Sequence, residues 1–122
     1  MITIKVGCFL SHYLIWQDAL KRGFKRIMIM EDDAAPEMGY IENLATYMEE
    51  LNHVPEWDFL YIARYQVYTE HVEPIVEKTQ HWVWPQFNTW ALNYVINESG
   101  KNQIQKFGVK NMGFFWLWIF IK

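Results

Sequence analysis

Apolar and polar positions along the chain alternate in three distinct ways, and each predicts a different element. Residues 27–30 (Ile27-Met28-Ile29-Met30) form an unbroken apolar run ending in Glu31-Asp32-Asp33. Such a run predicts a strand buried on both faces, as in a parallel sheet. Phe9, Leu10, Tyr13, Leu14 and Leu20 recur at helical spacing and predict a helix opening at Gly7-Cys8 and reaching about Arg22. Met1–Val6 alternates weakly and predicts a short strand or a lead-in. Lys21, Arg22 and Gly23 supply the cations and the glycine of a helix stop.

Met38, Ile41, Leu44, Ala45, Met48 and Leu51 repeat at three and four, predicting an amphipathic helix over about 37–51 with Pro36 at its entry and its methionines in the core. Asn52-His53-Val54-Pro55 ends it. Two further strands are expected, at Trp57–Arg64 and at Asn88–Ile96. The segment 65–86 between them reads as a long loop. The turn at Asn97–Gly100 leads into a last helix reaching about Phe107. Helices alternating with strands define the α/β class, and the expected sheet is mostly parallel.

In open α/β sheets ligands bind beyond the carboxyl ends of strands, which is where Glu31, Asp32 and Asp33 fall. In an extended chain Glu31 and Asp33 project to the same side and can share one cation, since hard divalent ions prefer carboxylate oxygens. A solvated acidic cap before a helix is the competing reading. Ser11 and His12, expected in a first helical turn, have an anion-binding reading and a plain capping or packing one. Arg64, near the end of its strand, is either a phosphate clamp or a solvated loop charge. His71 and His81 have no metal-ligand spacing and read as surface residues.

The 122 residues suffice for one domain, and 52 % hydrophobic with 20 % charged residues excludes disorder. Aromatics reach 18 %, with seven tryptophans, which reads as core or as a stacking surface. A net charge of −3 with no basic stripe argues against nucleic acid. Cys8 is the only cysteine, so neither an internal disulfide nor a zinc cluster of several cysteines can form. No secretory signal opens the chain. The apolar run Phe114–Ile121 is shorter than the roughly 20 residues a spanning helix needs.

Four words in order resemble glycosyltransferase family 25, which holds bacterial lipooligosaccharide galactosyltransferases and the procollagen galactosyltransferases. They are Gly7-Cys8-Phe9-Leu10-Ser11-His12-Tyr13 with Trp16, Met28-Ile29-Met30-Glu31-Asp32-Asp33, Trp57-Asp58-Phe59-Leu60-Tyr61-Ile62-Ala63-Arg64, and Trp90-Ala91-Leu92-Asn93-Tyr94-Val95-Ile96. The last two resemble the procollagen branch more than the bacterial one. The resemblance implies a partial GT-A-like (Rossmann-like) domain over 1–110. It implies transfer of a sugar, galactose, from a UDP-sugar to a hydroxyl of hydroxylysine in collagen-like protein or of a saccharide. It further implies an inverting mechanism with Mn²⁺, held by Asp33 and Glu31. Ser11, His12, Glu31, Asp32 and Arg64 are the implied donor-binding residues.

Ala63, Ala91 and Asn93 depart from the family words. The family's amino-terminal βα unit is expected to be missing, and residues 111–122 stand apart as a hydrophobic tail of the kind an out-of-frame reading produces. No carboxylate follows Glu98, so no general base is nominated and the expectation is a truncated catalytic core. The alternative is a non-catalytic α/β module that binds a nucleotide-sugar or a partner. With no signal in it, the chain as given is expected in the cytoplasm, whereas a full-length chain of the procollagen branch implies the lumen of the endoplasmic reticulum.

Overall fold

The computed structural model describes residues 2–54, 57–66, 70–85 and 88–107. The hydrophobic tail 111–122 lies outside the described residues. The elements are α1 (Ile2–Lys21), β1 (Arg26–Met30), α2 (Tyr40–Glu50) with a 3₁₀ turn at Leu51–His53, β2 (Phe59–Gln66), β3 (Asn88–Asn97) and α3 (Glu98–Phe107). None of the described helices is long and apolar enough to cross a membrane.

The chain is α/β, but its sheet corrects the parallel expectation: three strands lie in the order β1-β3-β2, and both neighbouring pairs are antiparallel. A parallel neighbour needs a crossover connection, usually a helix, and the described part of the β2–β3 connection contains none. The chain instead turns back and inserts β3 between β1 and β2. Both outer strands oppose β3, so they run in the same direction as each other, which makes a split β-α-β unit through α2.

Burial follows from that order. The doubly buried strand is β3, where Asn93, Tyr94, Val95 and Ile96 are at most 5 % exposed. The apolar run of β1 forms an edge strand with Ile29 alone buried, while Met28 and Met30 remain exposed. That corrects the expectation of burial on both faces; apolar side chains do not by themselves decide which strand is central.

One face of the sheet packs Ile29, Phe59, Tyr94 and Ile96 against Phe9 and Trp16 of α1. The opposite face packs Leu60 and Val95 against Leu51 and Trp57, with Met48 and Trp82 alongside. Residues alternate between the two clusters along each strand, as a pleated backbone requires.

The first helix begins at Ile2, not at Gly7, so the weak alternation of the opening residues is helical. It ends as expected: Gly23 takes φ 74°, its N–H donates to the Leu20 carbonyl (3.0 Å), and the Phe24 N–H donates to that of Ala19 (2.9 Å). These two bonds make a Schellman stop. The second helix starts at Tyr40 after Gly39 rather than at Glu37, leaving Pro36 outside it. Met38 and Ile41 are exposed, and of that stripe Met48 and Leu51 enter the core.

The third helix is capped by Asn97, whose Oδ1 accepts from the Gly100 N–H at 3.1 Å, and its start is tied to Asp58 by the Ser99 hydroxyl and the Gln103 amide. The loop after β2 is strapped to α2. Glu50 accepts from the N–H groups of Gln80 and His81, and Trp82 Nε1–H donates to the Tyr47 carbonyl at 2.7 Å.

Candidate functional site

Cys8 and His12 are one helical turn apart on α1, so they project from one face. Glu31 is the first residue beyond β1, and its N–H donates to the Leu92 carbonyl (2.9 Å), which fixes where its side chain starts. Tyr94 projects from β3 toward the same helix. The four side chains meet.

His12 Nε2 lies 2.5 Å from Glu31 Oε1, and His12 Nδ1 lies 2.6 Å from the Tyr94 hydroxyl. That hydroxyl also accepts from Trp16 Nε1–H at 3.0 Å. With Glu31 ionised the proton belongs on His12 Nε2, and in the neutral ring Nδ1 accepts the Tyr94 proton. A directed relay results: Trp16 to Tyr94, Tyr94 to His12, His12 to Glu31. The His12 and Tyr94 rings stack at 5.6 Å between centroids. The exposure of Glu31, 34 % against 13 % for His12, shows that the relay opens to solvent at its carboxylate end.

Burial dominates the local electrostatics. Loss of hydration pushes the Tyr94 phenol far up, reinforced by the Glu31 charge and opposed by the Trp16 hydrogen bond. Burial and then the Glu31 charge raise the Cys8 thiol, which is therefore protonated at neutral pH. Cys8, His12 and Glu31 each place a ligating atom within 4.8 Å of the other two.

The implied donor residues divide. Glu31 and His12 are brought together. Asp32 and Asp33 are exposed in the turn after Glu31, and neither has a partner among the described residues. Ser11 is exposed and donates to the Cys8 carbonyl at 2.7 Å, inside the helix. Because α1 starts at Ile2, Ser11 and His12 sit mid-helix, and the expected anion site at a helix start is absent there.

The same-direction run of β1 and β2 brings Arg64 to the edge of the sheet where the acids stand. Its guanidinium, however, is held by Glu73 of the following loop through both nitrogens, one contact at 2.9 Å. A phosphate would have to compete with that carboxylate.

On the other face of the sheet lies a cavity of about 580 Å³. Met30, Ala34, Pro36, Tyr40, Trp82 and Arg64 are among its walls, and so is Asn93. The Asn93 amide nitrogen donates to Tyr40, while its buried Oδ1 has no hydrogen-bond partner among the described residues. The acidic turn is thus flanked in sequence by cavity walls, Met30 before it and Ala34 after it.

Sequence reasoning missed Tyr94, Trp16 and Glu73 as site residues. It took Cys8 only as a lone cysteine that can form neither an internal disulfide nor a zinc cluster of several cysteines. The i, i+4 spacing of Cys8 and His12 was the available signal; nothing in the sequence places Tyr94 across from them without the strand order.

The sequence matches glycosyltransferase family 25 (LPS biosynthesis protein) over residues 3–112. This chain belongs to that family. It is 37 % identical over 102 residues to the "probable inactive glycosyltransferase 25 family member 3" of Bos taurus, a match covering 82 % of this chain and 17 % of the relative. It is 35 % identical over 101 residues to the inactive glycosyltransferase 25 family member 3 of Homo sapiens, covering 82 % and 17 %. It is 33 % identical over 101 residues to procollagen galactosyltransferase 1 of Danio rerio, again covering 82 % and 17 %. The matched region therefore spans about a sixth of the length of these relatives. No solved structure matches the chain.

Proposed function

We propose that this chain is the donor-side core of a sugar transferase on a GT-A-like scaffold, moving galactose from a UDP-sugar to a hydroxyl of collagen-like protein or of a saccharide. The observation that carries the proposal is the acidic turn. Two exposed carboxylates without described partners, Asp32 and Asp33, stand beyond the carboxyl end of β1, flanked in sequence by the cavity residues Met30 and Ala34. The family match and the names of the procollagen galactosyltransferase relatives support the same reading.

The donor set suits Mn²⁺: exposed carboxylate oxygens are the ligands a hard divalent ion takes, with water and diphosphate oxygens completing its shell. Asp33 would hold the ion, with Glu31 beside it through the oxygen that does not face His12. Bound there, the ion would offset the charge that develops on a departing diphosphate. Asp32 would meet the donor's ribose or sugar hydroxyls. His12, held by Tyr94, fixes the Glu31 carboxylate and so the shape of the acidic turn. Arg64 would reach phosphate after release by Glu73. A sugar seated in the cavity would be partly screened from water, which would limit hydrolysis in competition with transfer.

The test is calorimetry of UDP with Mn²⁺ on the purified chain, followed by UDP-galactose turnover. UDP binding that requires metal and weakens at least tenfold, about 1.4 kcal/mol, in Asp33→Asn is the expected result. Equal affinity in the variant refutes the assignment.

A second reading is a nucleotide-sugar- or partner-binding module without catalysis. The relatives whose names call them inactive share 35–37 % identity with this chain, against 27–33 % for the procollagen galactosyltransferases. Metal-dependent UDP binding without turnover would favour it.

A further inference from the structure

We propose that Cys8, His12 and Glu31 form a second metal centre, a three-ligand site for a borderline-soft divalent ion of the Zn²⁺ or Co²⁺ class. The inference rests on geometry and donor chemistry and does not depend on the transferase reading.

Three features carry it. The first is convergence: one sulfur, one imidazole nitrogen and one carboxylate oxygen lie within 4.8 Å of one another. They come from two separated segments, since Cys8 and His12 share a turn of α1 and Glu31 follows β1. The second is orientation. Metal-bound histidine is normally held through its other ring nitrogen, and here the Tyr94 hydroxyl holds Nδ1 at 2.6 Å while Trp16 fixes that hydroxyl. Tyr94 is 1 % exposed, so the positioning group is itself rigid. The third is openness. Glu31 is partly exposed, which leaves a coordination position for water, as in three-ligand zinc sites.

The donor set separates this centre from the acidic turn. A thiolate with an imidazole selects zinc-class ions, whereas Asp32 and Asp33 offer only hard oxygens. Glu31 borders both sets; Cys8 and Asp33 distinguish them.

His12 Nε2 and Glu31 Oε1 stand 2.5 Å apart, joined by one hydrogen bond. Zinc ligands at roughly 2.0–2.1 Å in tetrahedral array stand about 3.3 Å apart, so the pair opens by a little under 1 Å as the ion enters. The ring proton moves from Nε2 to Nδ1 and is donated to the Tyr94 oxygen, whose own proton rotates away from the imidazole while the oxygen keeps its bond from Trp16. The Cys8 thiol proton leaves to solvent as the metal–sulfur bond forms. One proton is released per ion, so affinity rises with pH over the neutral range.

The test is titration of the full chain with Co²⁺ alone, read by sulfur-to-cobalt charge-transfer absorption and competed with Zn²⁺. One Co²⁺ per chain with a charge-transfer band is expected. Cys8→Ser, at a partly exposed position, loses the band while melting as the parent does. Asp33→Asn keeps the band even as it loses Mn²⁺-dependent UDP binding, so the two sites fail separately. Tyr94→Phe keeps the band with affinity weakened about 10–100-fold. No band in the folded parent chain, or a band that persists in Cys8→Ser, overturns the proposal. So does a band lost in Asp33→Asn, since the ion would then belong to the acidic turn.

Discussion

Removing one oxygen atom tests the centre of this structure. Tyr94→Phe keeps the ring, its stacking on Phe59 at 4.6 Å and the packing of the first core cluster. It deletes the hydroxyl that accepts from Trp16 at 3.0 Å and pairs with His12 at 2.6 Å. A hydrogen bond contributes about 1 kcal/mol net, and a buried polar group robbed of its partner costs about 1–3 kcal/mol. Trp16 is 4 % exposed and solvent cannot replace the lost acceptor, whereas His12 at 13 % is partly reachable. The expected loss is about 2–3 kcal/mol, or roughly 8–12 °C in Tm for a domain of this size. Urea unfolding followed by tryptophan fluorescence measures it. Tyr61→Phe is the control: its ring packs on the same cluster, and its hydroxyl has no hydrogen bond among the described residues. That variant should lose well under about 0.5 kcal/mol, as substitutions that break no buried network do. Equal losses in the two variants would refute the relay. A cycle combining Tyr94→Phe with Trp16→Phe should be non-additive by about 0.5 kcal/mol or more.

Gly100→Ala sets two effects against each other. Alanine gains about 1 kcal/mol of helix propensity over glycine, but its Cβ would strike the Asp58 carbonyl oxygen and stand 2.9 Å from Ile96 Cγ1. Backbone cannot swing aside as a side chain can, and overpacking costs about 1–3 kcal/mol; a net loss of about 1 kcal/mol in urea unfolding is expected, and a gain would mean that α3 does not dock against Asp58. Alkaline stability follows from the buried phenols. Burial pushes Tyr61 up to about 12, and Tyr94 is raised further by the same cause. Groups raised in the folded state stabilise fully below their unfolded value near 10 and lose that contribution as pH climbs through the folded value. Stability should therefore fall between about pH 10 and 12, by up to about 1.4 kcal/mol per pH unit for each phenol. Tyrosinate absorbance at these two positions should appear together with unfolding; ionisation well before unfolding would contradict the burial argument.

Element type and order were legible because each rests on local chemistry. Gly23 after two cations stops a helix wherever it occurs, and Asn97 caps one through its own side chain. Strand order was not legible. The run Ile27–Met30 has the composition of a central strand, yet it lies at an edge, because centrality depends on where β3 returns rather than on what β1 contains. The start of α1 was hidden for a related reason: Ile2–Val6 has β-branched residues that disfavour a helix only weakly, and continuation of an existing helix outweighs that preference. Of the implied site residues, Glu31, Asp32 and Asp33 were legible as a group because they are adjacent. His12 was legible only through the resemblance, and its spacing argued for a helix start that lies elsewhere.

The insertion of β3 is also what makes the site. A parallel sheet with β1 beside β2 would put both strand ends together with nothing between them. Threading β3 through the middle in the opposite direction places consecutive residues of one strand on opposite sides of the acidic edge. Tyr94 faces α1 and closes the relay through His12 to Glu31, whereas Asn93 faces the cavity with a buried oxygen that has no partner among the described residues. A one-residue slip of β3 would exchange the two, burying the amide under α1 and turning the phenol into the cavity. Register between β1 and β3, with Ile29 opposite Tyr94 and Met30 opposite Asn93, is therefore what aims the phenol at the relay and the amide at the cavity.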